Sequence, residues 1–446
     1  MNNEKKVMPL TPRLLYTFQK FTRIEASGGI LLLFFTVVAL VWANSPWAEI
    51  YEHLWEIPFN VGFGGFVLSK PLHAWINDGL MAVFFFAVGL ELKREILVGE
   101  LSSPRQAALP IAAALGGMLV PAGIYLLINR GAEGASGWGI PMATDIAFSL
   151  GVLTLLGKRV PLALKVFLVA LAIADDIGAV LVIAFFYTSH ISWMNLLVGT
   201  GFLIALLGAN WAGVRHPLIY AILGIGGLWL AFLLSGVHAT IGGVLAAFTI
   251  PARTRIDPKE FVVQSRELIS DFEGASGDGK GIWTNKDQQT ALHVLENNCE
   301  RVQTPLQRLE EGLHPWVTYL ILPLFALANA GVPLRGDPIA TLSHPVTLGI
   351  VLGLLMGKQV GITLFAFLAV KLRMAKLPDG VSWRHIYGVG LLGGIGFTMS
   401  LFISGLAFGE SPLLIDSKLG ILLASLAAGI GGWLFLRLGR SSSDLG

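Results

Sequence analysis

Long apolar runs separated by short polar stretches recur along the chain, near residues 26–44, 73–92, 107–128, 138–156, 162–187, 192–209, 216–234, 236–251, 315–331, 345–370, 386–408 and 418–437. Each approaches the ~20 apolar residues needed to cross a bilayer, which makes about twelve candidate spans. Helix is the expected conformation, because a bilayer offers no partner to backbone polar groups and each segment must satisfy its own. The pattern therefore predicts one all-α polytopic membrane domain. Residues 1–25 form an N-terminal segment, 26–251 carry spans 1–8, 252–305 a polar loop or insertion, 306–437 spans 9–12 and 438–446 a tail.

Two spans are interrupted. "WGIPMATDIAFSLG" (138–151) breaks an apolar run with Pro141, Thr144 and Asp145, and "LLGGIGFTMSLF" (391–402) places Gly393, Gly394 and Gly396 inside another. Irregular backbone at membrane depth is tolerated only where protein or a water-filled cavity satisfies it. Broken segments in corresponding places of two halves point to a transporter site; spans 3–5 and 10–12 would be those halves. Between the first two spans, "FNVGFGGFVLS" alternates in the manner of a β-hairpin. The long polar interruption from Pro251 to about Glu311 contains "PKEFVVQSRELISDF", which predicts an amphipathic helix, and the Gly-rich turn "EGASGDGKGIW". A tolerated insertion or a regulatory segment would read alike.

Composition agrees with the pattern: 54% hydrophobic, 13% charged and a mean hydropathy of +0.69, well away from an ordinary soluble domain. The formal net charge of +2 hides an asymmetry. With a cytoplasmic N-terminus, Lys5, Lys6, Arg13, Lys20, Arg23, Lys93, Arg94, Arg105, Lys158, Arg159, Lys165, Lys371, Arg373 and Lys376 fall inside, and only Lys70, Arg130, Arg335 and Lys418 outside. By the positive-inside rule both termini are expected in the cytoplasm. The polar, basic first residues lack the features of a cleaved signal peptide. A single cysteine, Cys299, excludes an intrachain disulfide. "GIVLGLLMGK" ends in Gly-Lys but has Leu352 where a phosphate loop needs its first glycine and Gln359 where it needs Ser or Thr. Gly349, Gly353 and Gly357 instead mark a face for close helix packing. No ATP-driven mechanism is expected, and nothing points to a cofactor, a resident metal or a nucleic-acid partner.

The chemistry lies in "VALAIADDIGAVLVIAFF", Val169 to Phe186, where Asp175 and Asp176 stand side by side at mid-span. One carboxylate at the bilayer centre costs about 2.5–3.5 kcal/mol on insertion scales. On a helix the two point about 100° apart, so one can face a funnel and the other a neighbouring helix. Adjacent anions in low dielectric resist simultaneous ionisation, which suits a pair that holds protons until a cation supplies charge. Na+ or Li+ prefers carboxylate, carbonyl and water oxygens, and proton and cation would compete for them. A buried network needed only for packing is the plainer alternative. Lys358, mid-span, is the natural partner for one aspartate; functional coupling and fold stabilisation are both readings of it. Asp145, after Thr144, suits compensation of half-helix N-termini better than direct ion binding.

At the end of the second span, "GLELKREILVGE" puts Glu91, Arg94 and Glu95 on one face, and "RLEEGLHPWV" adds Glu310, Glu311 and His314 before the ninth. Together they suggest a cytoplasmic proton-sensitive gate, although solvated helix ends would look the same. His238, in "LSGVHATIGG", reads as a packed or solvated histidine.

At these residues the sequence resembles the NhaA-type sodium/proton antiporter family. The resemblance rests on "WINDGLMAVFFFAVGLELKRE", "ATDIAFSLG", "LAIADDIGAV", "LSGVHATIGG", "LHPWVTYLILPLFALANAGV", "GKQVGI" and "GIGFTMSLFISGLAF", and spans about residues 20 to 437. It implies twelve helices in inverted-topology repeats, with crossed, partly unwound fourth and eleventh spans, and a cation and proton site at Asp175 and Asp176. Lys358 would pair with Asp175, Thr144 and Asp145 would support the site, and Asp78 would lie along the membrane interior. Glu91, Arg94, Glu95, Glu310 and His314 would form the pH-response region. The family implies exchange of two protons for one sodium in a bacterial cytoplasmic (inner) membrane, often by homodimers joined through the hairpin; the partners are then Na+, Li+, H+, the lipid bilayer and a second copy. Two departures stand out: Glu311 occupies a position where members often carry His, and the 252–305 insertion is long.

Rival readings are a sodium-coupled symporter of an organic anion, for which Lys358 is the one mid-span cation, and an intramembrane aspartyl protease, which needs aspartates from two helices and commonly a GxGD motif. A purely structural role would not explain an adjacent acid pair.

Overall fold

The computed structural model describes residues 10–63, 66–188, 191–254, 257–275, 285–334 and 338–438. Helix α1 (Leu10–Ala43) starts well before the first predicted span and turns by 113° into α2 (Ala48–Glu56). The alternating segment forms the expected hairpin, β1 (Pro58–Phe63) and β2 (Phe66–Pro71), antiparallel from Pro58 opposite Pro71 to Phe63 opposite Phe66.

Helix α3 (72–98) follows, wound as a π-helix over Trp75–Leu80. Then comes α4 (Pro104–Ile128), whose first turn is capped by Ser103 accepting from Gln106 N–H. A 3-10 helix, Glu133–Met142, is bent by 43° from α5 (Ile146–Leu155). Next are α6 (Leu162–Phe186), α7 (Trp193–Trp211), α8 (Pro217–Ser235) and the short apolar α9 (Ala239–Thr249).

The polar insertion forms α10 (Pro258–Gly274), in the segment where an amphipathic helix is expected, and α11 (Lys286–Val302). These two pack on each other. Most of its Gly-rich turn lies outside the described residues. Leu306 N–H donates to the Pro251 carbonyl at 3.2 Å, so the chain leaves and rejoins the membrane body at one place.

The second half comprises α12 (305–329, with a π turn Val317–Ile321), α13 (Pro345–Lys371), α14 (Trp383–Gly393), α15 (Phe397–Phe408) and α16 (Leu413–Arg437). A bend of 45° separates α14 from α15. Among the described residues six helices are long and apolar enough to cross a membrane, or nine if each bent pair makes one span. Of the remaining predicted segments, 73–92 falls within α3, 236–251 is longer than the α9 it contains, and 315–331 runs two residues past the end of α12. The protein is a helical, multi-pass membrane protein.

Outward-facing positions are apolar, with Trp211 95%, Phe185 77% and Leu127 75% exposed, as for a surface covered by lipid rather than water. Helix association in lipid relies on close packing and polar ties. One such close approach is between α4 and α13, where Gly116 and Gly361 meet backbone to backbone: a Cβ on either would fall against the other's carbonyl oxygen. That crossing brings Lys358, on α13, toward the core.

Candidate functional site

The two breaks cross each other. From the first, Asp145 N–H donates to the Ile395 carbonyl at 2.7 Å and Ser149 Oγ to the Leu392 carbonyl at 2.9 Å. Ser400 Oγ, past the second break, donates back to the Ile140 carbonyl at 2.8 Å. The first two ties engage carbonyls at and just past the C-terminal end of α14, and the third a carbonyl in the last turn of the 3-10 helix, so each break helps satisfy the other's unwound backbone at membrane depth.

Asp145 serves the opposite ends. Its Oδ1 accepts from Phe148 N–H at 3.0 Å, capping α5. Its Oδ2 accepts from Thr398 N–H at 3.0 Å and from Thr398 Oγ1 at 2.6 Å, in the first turn of α15. One carboxylate thus faces the positive ends of two half-helices. Each end carries roughly half an elementary charge, so together they balance about one anion.

Beside this crossing lies the aspartate pair, midway along α6. Asp175 is 1% and Asp176 2% exposed. Lys358 Nζ donates to Asp175 Oδ2 at 2.5 Å and to Thr144 Oγ1 at 2.9 Å. The Thr144 hydroxyl lies 2.7 Å from Asp175 Oδ2 and 3.0 Å from the Gly393 carbonyl, the two acceptors open to its single proton. Asp175 Oδ1 and Asp176 Oδ1 are buried and accept no hydrogen bond among the described residues. Such orphaned oxygens call for an explanation, and a proton or a small hard cation supplies one. The electrostatic count makes Asp176 the distinctive group: Asp145 faces two helix ends, Asp175 is paired with Lys358, and Asp176 forms no ion pair among the described residues.

The predicted cytoplasmic cluster divides. Arg94, on α3, reaches Glu95 Oε1 at 2.7 Å, Glu310 Oε1 at 2.8 Å and Glu91 Oε1 at 3.9 Å, so it ties α3 to the start of α12. Burial pushes the Glu310 carboxyl up, with Arg94 opposing it. His314 is half-buried, and that burial pulls its imidazole below the usual histidine range. Glu311 is exposed.

Asp78 is placed apart from the aspartate pair. It lies in the π turn of α3, where Lys70 of β2 donates to its Oδ2 at 2.7 Å and His238 Nε2 is 3.9 Å from its Oδ1. His238 is packed, bonded to Thr240 Oγ1 at 2.8 Å and edge-on to Phe402. Sequence reasoning left Thr398 and Ser149 unmarked. A hydroxyl residue in the first turn after a Gly-rich break was the available signal for Thr398.

The family model described as Na+/H+ antiporter 1 matches residues 19–436. An NhaA Na+/H+ antiporter of Oleidesulfovibrio alaskensis is 55% identical over 96% of this chain and 94% of its own length. One from Koribacter versatilis is 52% identical over 97% and 93%. The NhaA 2 antiporter of Syntrophotalea carbinolica is 51% identical over 96% and 97%.

Proposed function

Since the chain belongs to the Na+/H+ antiporter 1 family, we propose that it is a secondary antiporter, not driven by ATP, that exchanges external protons for internal Na+ or Li+. The reaction is electrogenic and serves sodium and pH homeostasis. Asp175 and Asp176 form the shared site, and the observation that carries this reading is Asp176, a fully buried carboxylate with an orphaned oxygen and no ion pair of its own among the described residues. Protonation neutralises it when the cation is absent, and Na+ or Li+ takes the same oxygens when the protons leave. Competition for one site enforces exchange without any direct contact between the two substrates.

Asp145 holds the half-helix ends together while the occupant changes. Lys358 balances Asp175 so that the pair never presents two uncompensated anions. An organic-anion symporter would need a cation free to meet its substrate, whereas Lys358 is engaged by Asp175 and Thr144. Alternating access moves the crossed spans against the rest of a twelve-helix body in a bacterial inner membrane, both termini in the cytoplasm. Glu91, Arg94, Glu95, Glu310, Glu311 and His314 make up its pH-responsive mouth, and the hairpin joins two copies into a dimer.

The test is Na+-induced proton movement in everted vesicles, from neutral to alkaline pH, for wild type, Asp175→Asn and Asp176→Asn. Dye dequenching on adding Na+ or Li+, lost in both variants while insertion is unchanged, is the expected result. A well-inserted wild type without response would refute antiport, and full exchange by Asp176→Asn would remove that residue from the mechanism.

A further inference from the structure

The surface holds a shallow, open groove of about 560 Å3 lined by Gly123, Leu126, Leu127, Arg130, Gly131 and Ala135. The groove lies at the C-terminal end of α4. Leu126 and Leu127 are 42% and 75% exposed, and Gly123 leaves open space where a side chain would stand. Gly131, in the left-handed region at φ 75°, turns the chain so that Arg130 and Ala135 border one cavity. The floor is apolar, and the only charge on the wall is a guanidinium.

Arg130 stands out among the basic residues expected on the sparsely positive side of the membrane. Lys70 is held by Asp78, Lys418 is half-buried and Arg335 lies outside the described residues. Arg130 is exposed and forms no ion pair or hydrogen bond among the described residues. No acid lines the groove; Glu133, the nearest in sequence, is exposed and off its wall. A cation near a helix C-terminus is favourable on its own account, but that does not explain an adjoining apolar cleft.

We propose that this groove binds one anionic phospholipid, with the phosphate on the Arg130 guanidinium and an acyl chain along Gly123, Leu126 and Leu127. A guanidinium matches a phosphodiester bidentately. The headgroup ammonium of a zwitterionic lipid meets no carboxylate on the groove wall, so net negative charge selects the occupant. This site is independent of the ion pathway, and its test does not use transport.

The experiment is native mass spectrometry of the purified full chain titrated with phosphatidylglycerol or phosphatidylcholine. Wild type retains one phosphatidylglycerol more tightly than phosphatidylcholine. Arg130→Gln weakens phosphatidylglycerol by about fivefold, the worth of one basic residue at a lipid surface, and weakens phosphatidylcholine, whose phosphate is offset by its own ammonium, by less. Gly123→Leu, which fills the open space within α4, weakens both lipids. Equal retention of the two lipids by wild type, or of phosphatidylglycerol by wild type and Arg130→Gln, would overturn the proposal. So would a Gly123→Leu chain that loses its dimer but keeps its lipid, which would give the groove to a second copy.

Discussion

Lys358 Nζ and Asp175 Oδ2 meet at 2.5 Å with both side chains fully buried. This pair joins α13 to α6 at the depth of the broken spans, and its parts are unequal in consequence when separated. Removing one partner from a buried pair leaves the other charge in low dielectric, a loss of roughly 3–5 kcal/mol. Lys358→Met is therefore expected to lower the unfolding temperature in detergent substantially. The double variant Lys358→Met with Asp175→Asn should recover most of the loss, since both charges go. If the double variant is no more stable than Lys358→Met, the pair is not what holds these helices.

Asp145 is expected to be structural in the same strong sense. Asp145→Ala takes the acceptor from Phe148 N–H, Thr398 N–H and Thr398 Oγ1 together, with an expected loss of roughly 2–4 kcal/mol. Asp145→Asn keeps one acceptor oxygen and should lose about half as much. Thr398→Val removes a single bond and should cost about 1–2 kcal/mol. Thermal unfolding of the three variants gives the order, and an order with Thr398→Val worst would contradict the double-cap geometry.

The α4–α13 crossing leaves no room for a methyl group. Gly361→Ala presses a Cβ against the Gly116 carbonyl oxygen, where only backbone can give way, and should destabilise by about 1–3 kcal/mol. Gly208→Ala, in α7 with nothing near the added atom, should be neutral or stabilising by up to about 1 kcal/mol. Comparing their melting temperatures tests the crossing without touching the aspartate pair.

His314 sets a pH dependence whose sign can be worked out. Burial holds its folded pKa below the ordinary 6.5, so the folded state prefers the neutral ring. The stability this represents is complete above the unfolded pKa and is lost as pH falls through the folded value. Wild type should lose thermal stability between about pH 7.5 and pH 5, and His314→Gln should lose less. Identical profiles would exclude His314 as the titrating group. At alkaline pH the ring is already neutral, so His314 contributes no further change there.

Much of this was legible before any coordinates. The spacing of apolar runs placed helices, because a bilayer leaves the backbone no other solution. Asp175 and Asp176 stood out through the cost of carboxylates at mid-span, and Asp145 through its place in an interrupted one. The alternation around Phe59 to Ser69 announced the hairpin. Glu91, Arg94 and Glu95 shared a helical face in the sequence, and Arg94 indeed reaches all three of Glu91, Glu95 and Glu310.

Other features had no local signature. Asp78 reads as another intramembrane acid, yet its partners Lys70 and His238 come from the hairpin and from the turn before α9. Glu310 and Glu311 are neighbours with equal claims in the sequence; the packing of α12 on α3 turns one toward Arg94 and leaves the other exposed.

What the sequence determined alone was the inventory: which segments lie in lipid, where helices break and which charges are stranded there. These follow from transfer free energies and backbone hydrogen bonding, both local properties. Tertiary structure decided the division of labour among the charges. Whether an aspartate is capped, paired or left unbalanced depends on which helix end or lysine is brought within about 3 Å, and electrostatics at low dielectric makes that distance decisive. Asp145, Asp175 and Asp176 are chemically the same residue, and only the crossing of two broken helices beside Lys358 makes them three different groups.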